Sequence, residues 1–78
     1  MNTTRILKSV AERAPQAKNL HIRDEGKGVF SLIAEVGGMT RCVQFTSCGI
    51  YGETAFGWQL PQSDDAIAGQ LAGALKCT

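Results

Sequence analysis

Seventy-eight residues with a formal net charge of +1 make one domain at most, and a chain this short buries a smaller share of its surface than a larger one. A hydrophobic fraction of 44% is ordinary for a globular protein and excludes wholesale disorder. The near-neutral balance names no partner, but the charge is uneven: residues 1–23 carry Arg5, Lys8, Arg13, Lys18 and Arg23 against Glu12 alone, whereas residues 24–65 carry Asp24, Glu25, Glu35, Glu53, Asp64 and Asp65 against Lys27 and Arg41.

In chain order, the first predicted element is a helix over about Thr4–Ala14. Ile6, Leu7, Val10, Ala11 and Ala14 fall on one stripe at helical spacing, with Arg5, Lys8, Ser9, Glu12 and Arg13 on the other side. Asn2 or Thr3 can cap its start, and Pro15 stops it, because proline lacks an amide proton and disfavours helical geometry in its predecessor. Next, "NLHIR" alternates, with Leu20 and Ile22 on one face and His21 and Arg23 on the other, which predicts a short half-buried strand. "DEGKG" reads as a turn.

"VFSLIAEV" and "MTRCVQFT" flank a two-residue Gly37–Gly38 link, the composition of a tight hairpin. The register follows: Phe30 faces Phe45, Leu32 faces Val43 and Ala34 faces Arg41 on one side, where Arg41 can reach water near the tip. The other side carries Ser31, Ile33, Glu35, Thr40, Cys42 and Gln44, a mixed set suited to a sheet covered on one face only. "SCGIYGE" reads as a loop tip. "TAFGWQL" alternates again, with Phe56, Trp58 and Leu60 on one face, and predicts another strand ended by Pro61. Ser63 is a good cap for a closing helix over Ala66–Lys76, and Asp64 and Asp65 sit where the helix dipole favours negative charge. The expected fold is α+β: an antiparallel three- to four-stranded meander with an N-terminal and a C-terminal helix on one face, a single domain over residues 1–78.

Catalytic and metal chemistry find little to build on. The candidate ligands His21, Cys42, Cys48 and Cys77 form no Cys-x-x-Cys knuckle, so no metal or other cofactor is expected. Cys42 and Cys77 read as small buried hydrophobes, and Cys48 as a thiol in an exposed loop whose only candidate base, His21, lies on a different strand. Asp24–Glu25 and Asp64–Asp65 are adjacent pairs on a turn and a helix start and do not converge on one bond. A catalytic site is therefore not expected. Three cysteines, no signal-peptide pattern and no apolar run long enough to span a bilayer lead to the expectation of a soluble cytoplasmic protein.

What remains is surface recognition. In the closing helix, Ile67, Ala68, Leu71, Ala72, Ala74 and Leu75 form the inward stripe. The outward side is Ala66, Gly69, Gln70 and Gly73. A solvated helix more naturally uses charged residues there, so this side is expected to be covered by the first helix, by a second copy in a homodimer, or by a partner. The expected protein-interface residues are Ile50, Tyr51, Glu53, Gly69, Gln70 and Gly73. Arg5, Lys8, Arg13, Lys18 and Arg23 are candidates for contact with nucleic acid or an acidic partner.

The helix–strands–helix order around "GVFSLIAEVGGMTRCVQF" loosely resembles the double-stranded-RNA-binding domain. Where that family opens its last helix with a basic cluster, however, this chain reads "SDDAIAGQ", and two carboxylates repel phosphates. In size and layout, with a helix, the hairpin "AEVGGMTRCV" and a closing helix, the chain looks like small phage-encoded inhibitors, the anti-CRISPR proteins among them. That resemblance implies a non-enzymatic inhibitor that docks on a host defence protein or nucleoprotein complex and blocks its nucleic-acid path or its nuclease. The alternative is a small RNA- or DNA-binding domain that uses the basic N-terminal helix.

Overall fold

The computed structural model describes residues 1–50 and 61–76. The first helix, α1 (Thr3–Arg13), starts where expected: the Asn2 side chain accepts a hydrogen bond from the Arg5 amide at 3.1 Å, which satisfies one of the amides that a helix start leaves orphaned. Ala14 closes it by donating to the Val10 carbonyl at 2.8 Å, and Pro15 follows. Ile6 and Val10 are the buried residues of this helix.

Four strands follow in one antiparallel meander: β1 (Lys18–Gly26), β2 (Val29–Val36), β3 (Met39–Thr46) and β4 (Gly49–Ile50), in spatial order β1-β2-β3-β4. The β2–β3 hairpin has the predicted register, with Phe30 opposite Phe45, Leu32 opposite Val43 and Ala34 opposite Arg41. Gly37 and Gly38 both adopt positive φ (60° and 81°), the backbone that a two-residue turn needs to match the strand twist. The Phe30 and Phe45 rings stack with centroids 5.7 Å apart.

Three local expectations are corrected. β1 is longer than "NLHIR" and runs through Asp24 and Glu25 to Gly26. As an edge strand it tolerates charges that a central strand would not. The segment at Gly49–Ile50 is not a loop tip but a short strand: Phe45 pairs with Ile50 and Thr46 with Gly49, so Ile50 is half-buried against the core. Cys42 is exposed, not buried, because both helices pack on the other side of the sheet. The strand predicted over "TAFGWQL" lies outside the described residues, as does Cys77.

The closing helix α2 (Asp64–Lys76) begins two residues earlier than predicted. Ser63 Oγ accepts from the Ala66 amide at 3.1 Å, with Asp64 and Asp65 in the first turn. Asp64 Oδ1 also accepts from the Asn2 amide at 3.4 Å. One carboxylate thus stands at the start of both helices, where their positive dipole ends stabilise it. At the other end Arg41, half-buried, donates from Nη2 to the Ala74 carbonyl at 3.4 Å. The expected reach of Arg41 toward water is therefore partly redirected to the negative end of α2. Ile6, Val10, Leu32, Phe45, Ile67 and Leu71 join in one core between the helices and one face of the sheet.

Candidate interaction surfaces

Both helices lie on the Leu32–Val43 side, and the opposite face of the sheet carries the residues that alternate with the core. The pairing aligns them in three cross-strand rows: Lys18–Glu35–Thr40, His21–Ile33–Cys42 and Arg23–Ser31–Gln44. All of these are exposed except Ile33, half-buried at the centre, and Ser31, which keeps 1% of its surface accessible. Ser31 lies in register between the longer side chains of Arg23 and Gln44. Its Oγ is buried without a hydrogen-bond partner among the described residues.

The β1 side of this face is built by a bulge. Between Lys18 and His21 the register shifts, and Asn19 takes a left-handed φ of 54°, a conformation asparagine tolerates better than most residues. Its carbonyl accepts from His21 Nδ1 at 3.1 Å, which leaves Nε2 as the ring nitrogen available to an outside group. Its amide donates to Glu35 Oε2 at 2.8 Å. One row along, Arg23 forms an ion pair with Glu25. The hydrogen bond from Arg23 and then the charge of Glu25 hold the guanidinium pKa above its ordinary value. The face is thus close to charge-balanced. Phe30 and Phe45 both lie on the helix side, which leaves the His21 imidazole as the aromatic ring in these rows.

The residues expected at a protein interface do not assemble as one patch. Tyr51 and Glu53 lie outside the described residues. Ile50 and Gln70 do come together: Gln70 Oε1 accepts from the Ile50 amide at 3.3 Å, and Gln70 Nε2 donates to Gln62 Oε1 at 2.6 Å. The Gln62 amide donates in turn to the Ser47 carbonyl at 2.8 Å. Gln70 is therefore committed to a clasp that ties α2 to the β3–β4 corner. Gly49 makes room for it, since a Cβ there would stand 2.6 Å from Gln70 Oε1. On the same helix Gly69 is half-buried, and the Arg13 guanidinium lies 3.6 Å from where its Cβ would be, so α1 covers it in part. Gly73 is exposed and a Cβ there would meet nothing within 4 Å.

The five basic residues divide between two sides of the molecule. Arg5, Lys8 and Arg13 are exposed on α1, where Arg13 Nε also donates to Ser9 Oγ at 3.2 Å. Lys18 and Arg23 sit in β1, on the face away from the helices, beside Glu35 and Glu25 respectively. Cys48 is half-buried in the turn after β3, its amide donating to Thr46 Oγ1 at 3.1 Å. Among the described residues no three His, Cys, Asp or Glu side chains group closely enough to hold a metal ion, and no helix is long and apolar enough to cross a membrane. Comparison with family models, curated proteins and solved structures finds no match to this chain.

The sheet face opposite the helices was not among the expected contact surfaces. Its signal was present in the alternation of β2 and β3, which sets Ser31, Ile33, Cys42 and Gln44 on one side. A mixed strand face is also what plain solvation produces, so alternation alone did not single these residues out.

Proposed function

We propose that this chain is a non-catalytic protein-binding module that docks through the sheet face opposite its helices. The observation that supports this reading is the His21–Ile33–Cys42 row, with a half-buried aliphatic centre between exposed neighbours. Around it stand charges that already have partners, Arg23 with Glu25 and Glu35 with Asn19. An apolar centre with a polar rim is the usual anatomy of a protein interface. Paired charges are poor recruits for phosphates, which need unopposed cations. Single-stranded nucleic acid on a sheet face also draws on several aromatic platforms, and these rows offer the His21 ring alone.

The more specific form of the proposal is the inhibitor role suggested by size and layout. The partner is then a host defence complex, and docking covers its nucleic-acid path or its nuclease. A second reading rests on Arg5, Lys8 and Arg13, exposed together on α1, which would favour RNA or DNA. A tagged capture from the native host, run with and without nuclease and read by mass spectrometry, separates the readings. The proposal expects a protein complex that survives nuclease. Capture that vanishes with nuclease, and an affinity that falls steeply with salt, would favour nucleic acid. Recovery of the chain alone, with a mass that grows with concentration, would point to self-association through α2.

A further inference from the structure

We draw no further inference here: the strongest candidate, the buried Ser31 hydroxyl on the sheet face opposite the helices, belongs to the surface already described, and nothing among the described residues shows what covers it.

Discussion

At Ser31 a hydroxyl has been taken out of water with no partner among the described residues. Such a group carries its desolvation cost uncompensated, on the order of 1–3 kcal/mol. Ser31→Ala should therefore raise the urea midpoint, by roughly 1 kcal/mol of stability once the lower strand preference of alanine is set against the gain. An unchanged or lowered midpoint would mean that the hydroxyl finds a partner in solution. Gly49 makes the opposite case. Its φ of 118° lies in the region that side chains resist, and a Cβ there would press on Gln70 Oε1 at 2.6 Å. Gly49→Ala should cost about 2 kcal/mol or more, because backbone strain and a displaced clasp act together. Gln70→Ala should cost about 1 kcal/mol, since it removes two hydrogen bonds at a largely exposed site. If Gly49→Ala proved no worse than Gln70→Ala, the left-handed backbone at that corner would be in doubt. Both are read from denaturant midpoints at constant slope.

The elements differ in how plainly the sequence announced them. Pro15 and Ser63 are local stop and start signals, and the two helices end and begin beside them. The Gly37–Gly38 turn admits one register, so the β2–β3 pairing was legible residue by residue. β4 was not, because a strand of two residues has no alternation to read and is held in place by pairing with β3. Cys42 shows two rules in conflict. Alternation set it opposite the core side, whereas the general burial of cysteine argued for the interior. The helices cover only one face, and alternation prevailed. The clasp of Ile50, Gln62 and Gln70 joins residues far apart in the chain and left no local trace. In α2 the two glycines turn out to be different. Gly69 has Arg13 beside it, while Gly73 faces open space. Gly73→Ala should thus stabilise the fold by about 1 kcal/mol, the ordinary gain from removing an exposed helix glycine, visible as a higher midpoint. A loss of stability would mean that something packs closely against that position, as the original expectation of a covered α2 face requires.

At the scale of the whole molecule, the two helices and one sheet face make the core, and the proposal puts recognition on the other sheet face. In the proposal this second face, not the cations of α1, holds a protein partner. Cys42→Glu tests the face, because its side chain is exposed and a surface change there should alter stability by no more than about 0.5 kcal/mol. Lys8→Glu tests α1 by the same standard. The most direct measurement is the nuclease-treated capture repeated with these two variants, each first shown to unfold at the wild-type midpoint. The account predicts that Lys8→Glu retains the partner protein and Cys42→Glu loses it by at least about tenfold, as expected when an unpaired charge is forced into an interface. Retention by Cys42→Glu together with loss by Lys8→Glu would contradict it and move the binding site to the helical side.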